Sequence, residues 1–161
     1  MMSRYSGRMN TPSIRQAGMD DLGTLIPLFD QYRQFYGRNS DPIACGRFLQ
    51  ARIERRESVI LLPHQHDETV GFVQLYPSFS SVSMAPVFVL NDLFVATNAR
   101  KRGVAGALLM AAGKHAESAK AARLSLVTGK TNLAAQSLYQ RTGWKRDEVL
   151  LAYHLNLSDP T

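Results

Sequence analysis

The chain has 161 residues, of which 45% are hydrophobic and 20% are charged, with a formal net charge of +6. This length and composition favour one soluble globular domain. The single cysteine, Cys45, excludes an intrachain disulfide and a zinc cluster built on cysteines. The four histidines have no metal-ligand spacing beyond His64-x-His66, which lies in a predicted turn, so we expect no metal.

The first residues and the net charge of the chain indicate its cellular location and its partners. Residues 1–10 are polar and basic, and we expect a disordered tail before a domain at residues 11–158. This start lacks the apolar stretch of a signal peptide, and no run approaches the roughly 18 apolar residues of a membrane span. We therefore expect a cytoplasmic protein with no membrane partner. The positive charge suits a solvated surface or an anionic partner, and scattered basic residues without a recognition motif argue against nucleic acid.

Hydrophobic periodicity, with caps and breakers, predicts an α/β chain. Asp20 or Asp21 caps the first helix, and Pro27 marks a kink or an early start in it. The predicted elements in chain order are a strand at 13–17, a helix ending at Gly37, a helix from Asp41-Pro42 to about Arg56, a hairpin of strands at 58–62 and 69–76, a serine-rich loop at 77–83, a strand at 87–95, a helix from Val104 to near Ala121, a strand at 124–128, a helix at 132–142 and a final strand at 148–157. This order favours a mixed sheet with helices on both faces.

Residues 91–109 carry the first functional signal. They are predicted to form a strand, a basic turn at residues 100–102 and the start of a helix. The first N–H groups of a helix have no intrahelical partner, and the helix dipole places partial positive charge beside them. Gly103 and Gly106 lack a Cβ and let an anion approach the main chain closely. The stretch therefore predicts a pyrophosphate site.

The usual nucleotide fingerprints do not fit this stretch, because the Gly-x-Gly-x-x-Gly pattern and the Lys-Ser/Thr ending of a P-loop are missing. The run Arg100-Lys101-Arg102-Gly103-Val104-Ala105 instead resembles the Arg/Gln-x-x-Gly-x-Gly/Ala turn of the GNAT superfamily of N-acetyltransferases. Asn132 with Tyr139, followed by Gly143-Trp144, resembles a later helix of that family. Residues 90–95, with residues 74–77 upstream, look closest to its diamine/thialysine and histone/polyamine acetyltransferase-like branch.

The resemblance covers roughly residues 13–157 and implies a single-domain GNAT-like α/β fold. That fold has a mixed, mostly antiparallel twisted sheet, helices on both faces and a V-shaped splay between the central parallel strands. The resemblance also implies acetyl-CoA as co-substrate and no metal. The residues implied to bind the cofactor are Leu93, Phe94, Val95, Arg100, Arg102, Gly103, Val104, Ala105, Gly106 and Asn132. Main-chain groups of Leu93 and Val95 would line the pantetheine arm and polarise the thioester carbonyl.

Tyr139 is the candidate general acid. A tyrosine keeps its proton at neutral pH, with a reference pKa of about 10, and can donate it to a leaving thiolate. The alternative is an ordinary half-buried tyrosine. Asn132 has two compatible interpretations, since an asparagine that opens a helix caps it well and can also bind the cofactor.

The general base is less clear. Family members often carry a glutamate on the strand before the phosphate turn, and the register of the polyamine branch would put it at the position of Asn91. Asparagine cannot act as a base. The adjacent Asp92 is a base, an amine-binding group or a structural carboxylate, because successive strand residues face opposite sides unless a bulge intervenes. A water relay without a dedicated base is a further alternative.

The acceptor pocket implied by the resemblance involves Tyr32, Tyr36, Tyr76 and Asn91, although aromatic residues at helical spacing also suit a core. Asp30, Asp41 and Asp92 are carboxylates that could attract a cationic acceptor. The leading hypothesis is direct acetyl transfer, in a ternary complex, to a primary amine of a small molecule such as an amino acid, diamine or polyamine. The alternatives are a protein or peptide N-acetyltransferase and a non-catalytic acyl-CoA-binding module. Relatives are often homodimers, so we expect a homodimer.

Overall fold

A computed structural model of the chain describes residues 11–65 and 68–157. The predicted tail at residues 1–10, His66 of the predicted turn and residue 158 lie outside the described residues. The chain divides into two compact units, one that ends at Thr128 and one that begins at Gly129. Among the described helices, none has the length and apolar character that crossing a membrane requires.

The described residues of the first unit form a six-stranded sheet and three α-helices. Its elements in chain order are β1 (Ser13–Gln16), α1 (Leu22–Phe35), α2 (Pro42–Glu54), β2 (Val59–Gln65), β3 (Glu68–Thr69), β4 (Gly71–Ser80), β5 (Ala85–Val95), α3 (Val104–Ser118) and β6 (Leu124–Ser125). The strand order is β1-β2-β4-β5-β6, and β3 pairs with β2. All pairings are antiparallel except that of β5 with β6, which α3 connects as a crossover.

Local signals account for where the first helices begin. The Asp41 carboxylate accepts a hydrogen bond from the Ala44 N–H, and Pro42 supplies the fixed φ of a first helical position. Asp21 precedes α1, but its carboxylate accepts hydrogen bonds from Arg15 and from the Gly18 N–H and none from within the helix. Pro27 lies inside α1, which begins at Leu22 ahead of it.

Helices cover both faces of the sheet. On one face, α1 and α2 bury the aromatic pair Phe72 and Phe94, which lie opposite each other on β4 and β5. On the other face, Val73 is fully buried and the Phe88 ring contacts His115 of α3. The alternation of side chains along a strand assigns these two sets to opposite faces.

A β-bulge interrupts β5 next to this core. Gln74 pairs with Asp92, whereas the next residue, Leu75, pairs with Leu90, so Asn91 is the extra residue on β5. A bulge lets two successive residues point to the same side, and the Asn91 amide indeed donates to the Asp92 carboxylate. The bulge therefore turns both polar side chains toward the face that α1 covers.

Three predicted segments of the first unit differ from the structure. Pro63 and residues 77–80, predicted as turn and loop, belong to β2 and β4. Pro77 fits because β2 pairs with β4 only as far as Leu75, so the side of β4 without a β2 partner needs no N–H from proline. The predicted strand at residues 124–128 is limited to Leu124–Ser125.

The second unit contains α4 (Leu133–Arg141), which begins after the predicted cap Asn132. The predicted final strand at residues 148–157 is wrong, because this segment has no regular secondary structure. Its alternation of apolar residues, from Val149 to Leu157, is typical of a strand. A strand also needs a neighbour to pair with, and residues 129–157 contain no other strand.

Candidate active site

The start of α3 forms a cradle of main-chain N–H groups, here called the glycine cradle and defined as residues 103–106. Gly103 is the N-cap of α3 with a φ of +78°, the left-handed region that glycine adopts without strain. The first intrahelical bond runs from the Ala107 N–H to the Gly103 carbonyl. The N–H groups of Val104, Ala105 and Gly106 precede that bond and are oriented toward the end of the helix.

Space for a ligand lies beside the glycine cradle. A Cβ placed on Gly103 or on Gly106 would meet no described heavy atom within 4 Å. No close contact with a neighbouring element therefore requires a glycine at either position. The start of α3 also has no side-chain cap. An open, positively polarised helix terminus of this kind can hold a phosphate group.

The basic residues of the turn have different surroundings. Arg100 donates from Nε to the Val95 carbonyl at 2.9 Å, and its guanidinium carbon lies 5.8 Å from the centre of the Phe94 ring. Arg100 therefore ties the turn to the end of β5. Arg102 is exposed and precedes Gly103, so its charge faces solvent at the glycine cradle.

The end of β5 presents main-chain groups on the side away from β4. The Ala96 N–H donates to the Val70 carbonyl, so the antiparallel pattern directs Phe94 toward β4 and directs Leu93 and Val95 away from it. On that side β6 pairs with β5 only at Phe88 and Val89, and no described strand continues alongside. The expected splay is present, and it leaves the Leu93 main chain and the Val95 N–H without a partner in the described strands, whereas the Val95 carbonyl accepts from Arg100.

Phe94, also among the residues predicted to bind a cofactor, faces the core and pairs with β4. Its side chain is 7% exposed within the core cluster, and its main chain pairs with Phe72. Its side chain thus packs in the core and its main chain pairs with β4. We therefore expect Phe94 to support the strand rather than to offer a group to a ligand.

A buried polar cluster lies on the α1 face of the bulge. Asp92 is 4% exposed, its Oδ2 accepts from Gln74 Nε2 at 2.6 Å, and its Oδ1 accepts from Asn91 Nδ2 at 2.9 Å. Tyr32 of α1 and Tyr76 of β4 interact with the same carboxylate. We call these five residues the Asp92 cluster. It joins Asp92 to three of the four residues predicted for the acceptor pocket.

The tyrosines of this region respond to burial and to the Asp92 charge. Burial first, and then the charge and hydrogen bonding of Asp92, raise the pKa of Tyr32 above the usual tyrosine value. Burial and the Asp92 charge raise the pKa of Tyr76 to about 12. Tyr36 contacts the Tyr32 ring with centroids 5.1 Å apart and is 63% exposed, so it lies at the outer edge. The hydroxyls of Tyr32 and Tyr76 therefore keep their protons at neutral pH.

The other two candidate carboxylates have structural roles. Asp30 accepts hydrogen bonds from the Ser40 hydroxyl at 2.7 Å, the Asp41 N–H at 2.8 Å and Gln34 Nε2 at 3.0 Å. The Ser40 hydrogen bond, followed by that of Asp41, lowers the pKa of the Asp30 carboxyl. Asp41 caps α2. Of the three carboxylates, Asp92 alone joins the residues predicted for the acceptor.

Gln74 is a residue that sequence reasoning did not assign to the site. It is 0% exposed and lies opposite Asp92 across β4 and β5. A polar residue between Val73 and Leu75 in an apolar strand was the available signal. The signal was insufficient because the partner of Gln74 is 18 residues away in sequence and is fixed only by the register.

In the second unit, the Asn132 carboxamide oxygen accepts a hydrogen bond from the Ala135 N–H at 3.2 Å, so the capping interpretation of Asn132 is confirmed. Tyr139 lies on α4, is half-buried and has its ring centroid 6.1 Å from that of Trp144. Among the described residues, no group of three or more metal-ligating side chains is placed to hold an ion.

Comparison with known proteins supplies the family. The model of the Acetyltransferase (GNAT) family matches residues 25–144. The chain belongs to the GNAT family of acetyltransferases. The uncharacterized N-acetyltransferase YhfO of Bacillus subtilis (strain 168) is 46% identical over 145 residues, which cover 90% of this chain and 97% of that protein. The crystal structure of a probable acetyltransferase has a TM-score of 0.88 and 42% identity, over 92% of this chain and 99% of the other.

More distant structures share the fold alone. A ribosomal-protein-alanine N-acetyltransferase from Brucella melitensis biovar Abortus 2308 is 19% identical with a TM-score of 0.77, over 91% of this chain and 99% of the other. An aminoglycoside acetyltransferase from an uncultured soil metagenomic sample is also 19% identical, with a TM-score of 0.79 over 92% of this chain and 98% of the other. The GNAT fold and the acetyltransferase class are thus confirmed. The diamine and polyamine branch is not supported.

Proposed function

We propose that this GNAT acetyltransferase transfers the acetyl group of acetyl-CoA directly to a primary amine of a small molecule, within a ternary complex. The observation that supports this most is the glycine cradle beside the unpaired end of β5. A phosphate site and an exposed strand edge, a few residues apart, suit a ligand that has a pyrophosphate at one end and a long amide-containing arm.

The residues of the first unit fit coenzyme A in chemical type. The N–H groups of Val104, Ala105 and Gly106 would hold the pyrophosphate, with Arg102 adding an exposed positive charge. The main chain of Leu93 and Val95 would hold the pantetheine arm by strand-like hydrogen bonds. Arg100 would contribute by fixing the end of β5. When bound, acetyl-CoA supplies an activated thioester. Asn132 is proposed as a further cofactor contact from the family resemblance.

The Asp92 cluster supports an amine as the acceptor. Its buried carboxylate places a negative charge beneath the half-buried tyrosines Tyr32 and Tyr76, and Tyr36 lies at the outer edge. A carboxylate attracts a protonated amine and also provides an acceptor for its proton. Amino acids, diamines and polyamines remain the acceptor classes to test first.

A protein or peptide N-terminus is the second candidate acceptor. The observation that favours it is the exposure of Tyr36 and its neighbour Phe35 at the end of α1, which leaves the edge of the pocket open. A large acceptor could lie across such an edge, whereas a closed pocket would admit small amines only.

A thiol-release assay with acetyl-CoA and a panel of amino acids, diamines, polyamines, aminoglycosides and N-terminal peptides tests both candidates. We expect turnover with at least one small amine and little with the peptides. Turnover on peptides alone would favour the second candidate. The absence of turnover on every acceptor, with intact CoA binding, would overturn the proposed function.

Tyr139 is proposed as the general acid that protonates the leaving thiolate. Replacing it with phenylalanine keeps the ring that contacts Trp144 and removes the acidic proton. We expect kcat to fall about 100-fold with unchanged CoA affinity, since a positioned acid contributes roughly 10²–10⁴-fold. The matched control is Tyr153→Phe on an exposed tyrosine, and a kcat as high as in that control would remove Tyr139 from the role.

The remaining proposals concern the state of the protein. We propose a cytoplasmic homodimer with a catalytic domain at residues 11–158. Light scattering at assay concentration tests the dimer, and a monomer with full activity would contradict it. Deletion of residues 1–10 tests the boundary of this domain, and we expect unchanged turnover.

A further inference from the structure

The Asp92 carboxylate is too deeply buried to meet an acceptor directly. It is 4% exposed, and amide groups of Gln74 and Asn91 donate to its two oxygens at 2.6 Å and 2.9 Å. A buried carboxylate held by two donors is fixed in orientation. Any exchange of protons with a molecule in the pocket needs an intermediate group.

Tyr32 is placed to be that group. Its ring packs at centroid distances of 5.8 Å from Phe72 and 6.3 Å from Phe94, the register pair that adjoins Gln74 and Asp92 on the same face. Tyr32 is half-buried, and its hydroxyl interacts with the Asp92 carboxylate. A phenol that donates to a carboxylate is polarised and becomes a better acceptor on its own oxygen.

Gln74 has one buried polar atom without a hydrogen-bond partner, and the hydrogen bond from its other polar atom to Asp92 gives a reason for a polar residue at this position. No described donor reaches Gln74 Oε1, although the side chain is 0% exposed. Leaving a buried acceptor unsatisfied costs about 1–3 kcal/mol. An apolar residue would avoid this cost, but it would remove the donor that holds Asp92 Oδ2.

We propose that Tyr32 and Asp92 form a proton relay that deprotonates the acceptor amine, with Gln74 as a positioning residue. This inference rests on the proposed function. The N–H bond of the protonated amine breaks and its proton moves to the Tyr32 oxygen, while the Tyr32 O–H proton moves to Asp92. The amine keeps its electron pair for attack, Tyr32 stays a neutral phenol, and Asp92 becomes a neutral acid. After the product leaves, the proton returns through Tyr32 to solvent.

Few other titratable groups face this pair. Tyr36 contacts Tyr32 from the same helix, and Tyr76 faces Asp92 from β4. Arg52, near the end of α2, acts electrostatically on Tyr76, and Arg100 lies over the Phe94 ring. None of these four is a histidine, a cysteine or a carboxylate, so a pH profile between about 4 and 9 reports on the relay itself.

The test compares Tyr32→Phe and Asp92→Asn with the unmodified chain across pH, on an amine that the unmodified chain acetylates. We expect each variant to lose about 100-fold in kcat at pH 7, as for a lost general base. The loss should shrink as the pH approaches about 10, because a lysine-like amine then arrives already neutral. A structural defect would lower activity equally at every pH. Tyr153→Phe and Asp41→Asn serve as matched controls outside the cluster.

Gln74→Leu tests the positioning role. The change removes the donor that fixes Asp92 Oδ2, so kcat should fall while the KM for acetyl-CoA stays unchanged. An unchanged kcat, or a parallel rise in the KM for acetyl-CoA, would contradict this role.

The possible failures are distinguishable. If the unmodified chain acetylates no amine, the proposed function and the relay both fail. If it turns over but Tyr32→Phe and Asp92→Asn show losses that do not vary with pH, or no losses, only the relay is overturned. CoA binding, measured by calorimetry, confirms that each variant is folded. If Asp92→Asn does not fold, Tyr32→Phe decides the test, because its ring contacts are kept.

Discussion

The glycine cradle and the Asp92 cluster differ in the kind of group that they offer to a ligand. The cradle consists of main-chain groups from consecutive residues, it has open space beside its two glycines, and no side chain caps it. The Asp92 cluster consists of side chains from α1, β4 and β5, and its centre is buried. A ligand at the cradle is therefore held by backbone conformation, whereas one at the cluster depends on the chemical identity of each side chain.

Gly103→Val should give the largest effect on the cradle. The side chain fills the open space, and a β-branched residue at a φ of +78° is strained by about 1–2 kcal/mol. We expect CoA affinity to fall about 100-fold, or ~2.7 kcal/mol, measured by calorimetry. Gly37→Val is the matched control, because Gly37 has a φ of +80° and open space elsewhere. An equal loss of CoA affinity in the control would show that strain alone is responsible.

The two arginines of the turn should separate charge from structure. Arg102→Glu reverses an exposed charge, so we expect about a 10-fold weaker CoA affinity at low salt that largely recovers near 1 M salt, where the Debye length is about 3 Å. Arg100→Lys removes the Nε donor to the Val95 carbonyl, so its effect on CoA binding should be insensitive to salt. The same salt dependence in both variants would contradict the distinction between a charge role for Arg102 and a structural role for Arg100.

Tyr76→Phe should affect the Asp92 cluster without touching the cradle. The change removes one hydroxyl near Asp92 and keeps the ring. We expect the KM for the acceptor to rise about fivefold, equivalent to ~1 kcal/mol for one hydrogen bond, with no change in CoA affinity. Steady-state kinetics with each substrate varied in turn makes the measurement. A parallel loss of CoA affinity would mean that the two regions are not independent.

Gly106→Ala should give the smallest effect, with a gain in the stability of α3 and a loss in CoA affinity. Gly106 lies in the first turn of α3 without a positive φ, so alanine should stabilise the helix by up to ~1 kcal/mol. The added methyl group occupies the ligand side, and we expect CoA affinity to fall about threefold, or ~0.7 kcal/mol. Thermal melting with and without CoA tests both signs. A gain in stability with unchanged CoA affinity would place the pyrophosphate away from Gly106.

Several features could be predicted from the sequence because they depend on neighbours in the chain. The Asp41-Pro42 start of α2, the strand, turn and helix of residues 85–118 and the Asn132 cap all rest on local hydrogen bonds or fixed dihedral angles. The family motif lies in this same stretch, and α3 begins at Val104, directly after Gly103, as predicted. The strand predicted at residues 148–157 failed because alternation describes one strand and a ladder needs two.

The sequence by itself determined the glycine cradle, since consecutive residues and a left-handed glycine suffice to build it. The tertiary structure alone decided the Asp92 cluster. The register of β4 against β5 brings Gln74 to Asp92, the bulge turns Asn91 to the same side, and the packing of α1 places Tyr32 beside them. The physical reason is that a one-residue shift of β4 against β5 would send the side chains of Gln74 and Asp92 to opposite faces of the sheet.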